Sequence, residues 1–239
     1  MKVINDLIGY KNKKVVQDTD WFSFSLDSVM LPRFVTINKG TKNILDIGTG
    51  TAPIPLILST RTNAKIFGME IQKDVYELAL ETIDINNLNN QVSIINDDVK
   101  NIAHYFKSGF FDVIVSNPPY FKASEKGLKN NDIHKTIARH EIYLNSEDII
   151  KIASVYLNNN GVFAMVHRAD RLIELIEMLR KYKIEPKRIQ LIYPKTNTNA
   201  NIVLIEGRKN GNVGLKILPP IITHNDDNSY TDDINSYFS

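Results

Sequence analysis

Phe110-Phe-Asp-Val-Ile-Val-Ser-Asn-Pro-Pro-Tyr120 sets the class of this fold. The run from Phe110 to Ser116 is apolar almost throughout, which reads as a strand buried in a parallel sheet. The turn that ends it is rigid. Each proline holds its own φ near about −65° and keeps its predecessor extended, so the helix that usually follows a parallel strand cannot start here. The turn therefore projects the Asn117 amide, several backbone carbonyls and the Tyr120 ring into the crevice above the sheet. In open α/β folds that crevice is where ligands bind. Carbonyls clustered beside an aromatic ring suit a planar base with an exocyclic amino group.

Working outward, short apolar runs alternate with helical patterns, as βαβ units do. Strands are predicted at Asn43–Ile47, Lys65–Glu70, Val92–Ile95, Phe111–Val115 and Gly161–Val166. Amphipathic helices are predicted over 73–86, 146–157 and 170–182, the last with Leu172, Ile173, Leu175, Ile176 and Leu179 on one face. Arg188–Tyr193 and Asn201–Glu206 are joined by a loop too short for a helical crossover, so one of these strands must run antiparallel. Leu215–Ile222 adds an edge segment, and the Asp- and Asn-rich residues beyond His224 read as a loosely held tail. The expected fold is α/β and Rossmann-like. Its sheet has seven strands, mostly parallel, with an antiparallel strand near the C-terminal end and helices on both faces. Residues 1–40 form an N-terminal lid segment, 41–224 the main domain and 225–239 a tail.

Composition narrows the chemistry. Among 239 residues there is no cysteine, which removes disulfides, thiolate nucleophiles and thiolate zinc sites together. The net charge of +2 is too small to announce nucleic-acid binding, so a basic footprint has to be local. No apolar stretch approaches the roughly 20 residues that span a bilayer, and no signal peptide is evident. A cytoplasmic protein without membrane partners is the expectation.

Asp46-Ile-Gly48-Thr-Gly50-Thr51 follows the first predicted strand and precedes a helix capped by Thr51, so its glycines allow a tight turn and close ligand approach. Glu70 ends the next strand, placed to accept hydrogen bonds from ribose hydroxyls. Dinucleotide sites share that spacing, but they want a third glycine where Pro53 stands. The Asp46 charge would also repel a pyrophosphate while pairing with a ligand's ammonium group. S-adenosylmethionine is thus favoured over NAD. Asp98 stands at the third strand tip, within reach of an adenine amino group, with Val99 covering the ring and Ile71 beside Glu70.

Asp46-Ile-Gly48-Thr-Gly50, Glu70, Asp98 and Asn117-Pro-Pro-Tyr120 together resemble the class I S-adenosylmethionine-dependent methyltransferases that methylate amino groups. More closely, the chain is similar to the bacterial tRNA adenine-N6 methyltransferases that modify the adenosine beside the anticodon of a valine tRNA. That likeness extends to Phe22–Leu31, Ala138-Arg-His-Glu141, Val166-His-Arg168, Glu185-Pro-Lys-Arg188, Leu204-Ile-Glu-Gly207 and Leu218-Pro-Pro220. One departure is Asp97-Asp98, where Gly-Asp is expected. The resemblance implies that Asn117 and the Pro118 carbonyl accept the N6 hydrogens, that Pro119 stiffens the turn and that Tyr120 stacks on the target base. It also implies a contact from Ser25 to the methionine end of the cofactor, S-adenosylhomocysteine as product, tRNA as partner and no metal. An oligomer is not required. Lys122, Arg139, His140, Lys187 and Arg188 are the candidate RNA contacts, drawn from the basic clusters at 122–139 and 180–188. An N5-glutamine methyltransferase acting on a protein uses the same turn on an amide, but carries a sizeable helical domain ahead of it. A non-catalytic cofactor- or RNA-binding module is the reading from another class.

Overall fold

The computed structural model describes residues 1–7, 9–10, 12–18, 26–118 and 145–237. A hairpin of β1 (Lys2–Asp6) and β2 (Lys14–Asp18) comes first, then helix α1 (Leu26–Phe34). Next come β3 (Asn43–Ile47), α2 (Pro53–Leu58), β4 (Lys65–Glu70), α3 (Lys73–Ile85), β5 (Val92–Asn96), a 3-10 turn (Val99–His104) and β6 (Phe111–Ser116). After the undescribed residues come α4 (Ser146–Tyr156), β7 (Leu157–Arg168), α5 (Leu172–Lys181), β8 (Ile184–Tyr193) and β9 (Ile202–Lys209). Two short strands, β10 (Lys216–Ile217) and β11 (Ile221–Ile222), and helix α6 (Asp232–Tyr237) end the chain.

The main sheet runs β10-β8-β9-β7-β6-β3-β4-β5, with β11 also on β8. Only β9 opposes its neighbours; every other pairing in this sheet is parallel. The expected seven strands are all present, and β10 and β11 extend them to nine. Leu218-Pro-Pro220 separates the two additions, because proline supplies no N–H to a ladder and splits what would be one edge strand into two.

Alternating side chains divide the core between the faces of the sheet. Ile44, Ile66, Val113 and Val115 meet α1, α2 and α3 on one side. Leu45, Ile47, Ile114 and Phe163 meet α4 and α5 on the other. Beyond β5 this second face has a 3-10 turn where a longer helix could have packed. Phe67, Phe106, Phe110 and Phe111 cover that area in an edge-to-face cluster, with ring centroids 4.8 Å apart at Phe106 and Phe111.

The sequence predicts only a lid segment over residues 1–40, whereas its first part forms a hairpin. The free edge of β2 is bonded by helix side chains. Val16 N–H donates to Thr82 Oγ1 at 3.0 Å, and Asn86 pairs with both the N–H and the C=O of Lys14. The tail is also anchored more firmly than its composition suggested. Ile234 of α6 is fully buried against the first core. Among the described residues no helix is long and apolar enough to cross a membrane.

Glu206 on β9, 2% exposed, fastens the chain that leaves α1. It accepts from Thr36 N–H at 2.7 Å, Thr36 Oγ1 at 2.9 Å and Arg188 Nη1 at 3.3 Å. Arg188 also donates to Phe34 O and lies over the Phe34 ring. Glu206→Ala removes one half of a buried ion pair and should cost about 3 kcal/mol of stability. Lys100→Ala, which breaks the solvent-exposed pair with Asp148, should cost under about 1 kcal/mol. Urea unfolding of the two variants checks the contrast.

Candidate functional site

The carboxyl ends of β3, β4, β5 and β6 lie side by side, and each carries a residue singled out from sequence. After β3 the chain turns through Gly48 at φ 71° and Gly50 at φ 57°, the left-handed region that glycine enters without penalty. Gly48 N–H and Thr49 N–H both donate to Met69 O at 3.0 Å, which fixes the turn to the tip of β4. A Cβ at either glycine would meet nothing within 4 Å, so the turn borders open space. The helix cap differs from expectation. Ala52 at φ 66°, and not Thr51, precedes α2, and no side chain caps it. The left-handed turn carries the chain into α2 by itself.

Asp46 has no solvent exposure. Thr49 Oγ1 donates to its Oδ2 at 2.7 Å, while Oδ1 has no partner. Burial pushes its carboxyl up to about 7; the Thr49 hydrogen bond opposes this and the nearby Glu70 charge adds to it. Gly68, opposite Asp46 on β4, makes the contact possible. A Cβ there would fall 2.8 Å from Thr49 Oγ1 and 2.9 Å from Ile94 Cδ1. This residue was missed in the sequence, although a glycine inside a strand is the usual signal for such close approach.

Glu70 is buried and braces the same turn. Its Oε2 accepts from Gly50 N–H and its Oε1 from Gln72 N–H, both at 3.0 Å. Each oxygen retains a second lone pair for a ligand hydroxyl. Asn96 Nδ2 donates to the Glu70 and Ile71 carbonyls and closes the tips of β4 and β5. Ile71 is exposed beside this junction, whereas Val99 is buried. The two aspartates divide their work. Asp97 accepts from Asp98 N–H, Asn101 Nδ2 and Tyr105 OH, and the Asn101 and Tyr105 bonds hold its carboxyl below the usual range. Asp98 accepts from Lys100 N–H and caps the 3-10 turn.

At β6, Ser116 Oγ donates to Ile47 O at 2.9 Å and locks the tip to β3. Asn117 Nδ2 donates to Ser28 Oγ of α1 at 3.1 Å, and Pro118 is buried. Holding the amide nitrogen sets the direction of Oδ1. Ser28, like Gly68, was missed; it lies in the quoted stretch Phe22–Leu31, three residues after Ser25, the one given a role. At the neighbouring tip, His167 is buried between Ser146 and Arg168 N–H. Burial lowers its pKa to about 4, so it is neutral near pH 7 and adds no positive charge.

Pro119, Tyr120, Ser25, Lys122, Arg139 and His140 lie outside the described residues. Lys187 donates to Asn212 O at the sheet edge. Arg188 is not displayed as a phosphate contact would be. Its Nη1 meets Phe34 O, Thr36 Oγ1 and Glu206, because the fold needs a cation against the buried Glu206. Among the described residues no group of three or more His, Asp or Glu is placed to hold a metal ion.

Comparison with known proteins follows the same lines. Two relatives are tRNA1(Val) (adenine(37)-N6)-methyltransferases. That of Phocaeicola vulgatus is 29% identical over 201 residues, 84% of this chain and 83% of that protein. That of Cytophaga hutchinsonii is 29% identical over 191 residues, 79% of this chain and 78% of that protein. Among solved structures, a predicted O-methyltransferase from Agrobacterium tumefaciens superposes with a TM-score of 0.70 at 18% identity, covering 89% of this chain and 95% of that one. A family model described as a methyltransferase domain matches residues 38–200, and the chain therefore belongs to the methyltransferase-domain family.

Proposed function

We propose that this protein transfers a methyl group from S-adenosylmethionine to the N6 amino group of an adenosine in tRNA, the one 3′ of the anticodon of a valine tRNA. The observation that carries the reading is the Asn117–Pro118 turn, held by Ser28 at the tip of β6 beside the acidic tips of β3 and β4. Relatives of that named activity, alike over about four fifths of the chain, support the choice of acceptor.

The donor set fits the cofactor. Asp46, with its buried unpartnered oxygen, suits an ammonium group, and the Glu70 oxygens suit a ribose diol. Ile71, Asp98 and Val99 suit an adenine, and Gly48 and Gly50 leave room for close approach. Bound there, S-adenosylmethionine supplies an electrophilic methyl group on a sulfonium centre. An adenine amino group is a poor nucleophile because its lone pair is delocalised into the ring. Asn117 Oδ1 and the Pro118 carbonyl, accepting its two hydrogens, favour a tetrahedral nitrogen and direct the lone pair towards the cofactor half of the site. Positioning and electrostatics supply most of the catalysis. Pro119 and Tyr120 enter this reading from sequence, as rigid support and stacking ring for a base turned out of its loop. Lys122, Arg139, His140 and Lys187 are the corresponding RNA contacts.

Incubation with radiolabelled S-adenosylmethionine and unmodified bulk tRNA, followed by nucleoside mapping, tests the assignment. Label should appear as N6-methyladenosine; label in protein would favour the glutamine alternative and reject this one. Asn117→Ala should lower kcat by about 100-fold or more, while S-adenosylhomocysteine affinity by calorimetry stays within about twofold of the parent, as expected for a residue that touches the acceptor only.

The Asp46 carboxyl adds a pH dependence. An ammonium ligand pairs with the ionised form, which in the free protein predominates only above about pH 7. Cofactor affinity should therefore fall as pH drops, by about tenfold between roughly pH 8 and pH 6. Asp46→Asn should bind weakly with little change across that range. Stability of the free protein has the opposite sign. A raised native pKa means the folded state holds the extra proton between about pH 4 and 7, so stability declines as pH rises through that window. Thermal melts of the parent against Asp46→Asn read this directly.

A further inference from the structure

Two buried side-chain atoms among the described residues have no hydrogen-bond partner: the Asp46 Oδ1 acceptor and the Gln17 Nε2 donor. Gln17 belongs to the N-terminal hairpin, outside the main sheet. It is 3% exposed, and its Oε1 accepts from Asn5 Nδ2 at 2.8 Å, which orients the amide and leaves Nε2 as the unmet end. A buried donor left unmet costs about 1–3 kcal/mol, so its retention calls for a partner.

The fold places both atoms on one side of the sheet. Asp46 shares its face with Ile44, which packs with α1, α2 and α3. Val15, two residues before Gln17 and on its face of β2, packs with Val29 of α1 and with Leu56 and Ile57 of α2. Their level is set by α3. Lys14 is bonded to Asn86 at its far end and Val16 to Thr82 one turn nearer its start. Gln17 lies further on in that direction, and α3 starts just after Glu70. Gln17 is thus the last buried residue of β2 on the way to the strand tips. There α1 begins, with Ser28 already on Asn117.

We propose that Gln17 Nε2 donates to the carboxylate of the cofactor's methionine moiety while Asp46 Oδ1 accepts from its ammonium. A zwitterionic amino acid needs one donor and one acceptor, and the two unmet atoms are one of each. The assignment rests on S-adenosylmethionine as the cofactor. It gives the N-terminal hairpin a part in binding and puts the recognition of the carboxylate on a segment outside the parallel sheet.

Calorimetry on the full chain separates the possibilities, using S-adenosylhomocysteine, decarboxylated S-adenosylmethionine and 5′-methylthioadenosine. Gln17→Ala should weaken S-adenosylhomocysteine binding by about tenfold or more, the loss of one hydrogen bond to a charged group. Binding of the decarboxylated compound and of 5′-methylthioadenosine should stay within about twofold, which also shows that the variant is folded. Gln17→Glu, which sets a carboxylate against a carboxylate, should lose S-adenosylhomocysteine more severely and keep the decarboxylated compound. Unchanged S-adenosylhomocysteine binding in Gln17→Ala would overturn the proposal, as would equal weakening of all three ligands, the mark of a structural prop. Failure of the parent protein to bind S-adenosylhomocysteine would instead remove the cofactor reading, and this inference with it.

Discussion

A carboxylate with no exposure to water stands at the tip of the central strand, and much of the neighbouring structure serves to keep it there. Asp46 is tolerable because Thr49 donates to one of its oxygens. Thr49 can reach it because the turn passes through left-handed Gly48 and Gly50 and is fastened to Met69 O. It fits because position 68 has no side chain. An alanine at position 68, ordinary by strand propensity, would collide with the hydroxyl that makes the buried acid affordable. Burial of an ionisable group with one oxygen unmet is unfavourable for the folded chain alone. In the proposed reading the ammonium group of the cofactor would offset that cost.

The same economy recurs at the other tips. Both Glu70 oxygens accept from backbone N–H groups, and each retains a second lone pair. Ser116 joins β6 to β3 so that Asn117 is held at a fixed distance from the glycine turn. At the opposite end of the sheet, Asp112 plays the matching part: its carboxylate accepts from Lys42 N–H, Asn43 N–H and Asn158 Nδ2, aligning the starts of β3, β6 and β7. With both ends pinned, parallel strands have little freedom to slip in register, and residues far apart in sequence keep their relative heights.

This explains what could be read from the sequence. The strands were legible because central parallel strands are uniformly apolar, and the tips because Asp46, Glu70, Asp98 and Asn117 each follow such a run. That β8 and β9 oppose each other was legible from a loop too short to cross the sheet, although which of the two runs against the rest was not. The N-terminal hairpin was not, since β2 shows no clean alternation. The partners of its free edge are the Asn86 and Thr82 side chains of a helix, and their bonds to Lys14 and Val16 span 72 and 66 positions. Arg188 misled for a related reason. In sequence it is one more member of a basic cluster, and only the fold places the buried Glu206 beneath it. Ile234 was hidden by its polar neighbours, because one anchoring residue makes no periodic signal.

Helix α1 connects these parts. Its first turn gives Ser28 to Asn117 at the tip of β6. Val29, the next residue, packs into the hairpin cluster with Val15, while Met30 and Leu31 enter the core beneath Asp46. Past its end, Thr36 is held by Glu206 and Arg188 on the far strands. Nine residues thus touch the hairpin, the core around β3 and the Asn117 turn at once. A helix tied so closely at its far end cannot shift at its start without disturbing Asn117. The hairpin and the Asn117 turn therefore share one element, on which the proposed cofactor recognition through Gln17 and the proposed acceptor alignment through Ser28 would meet.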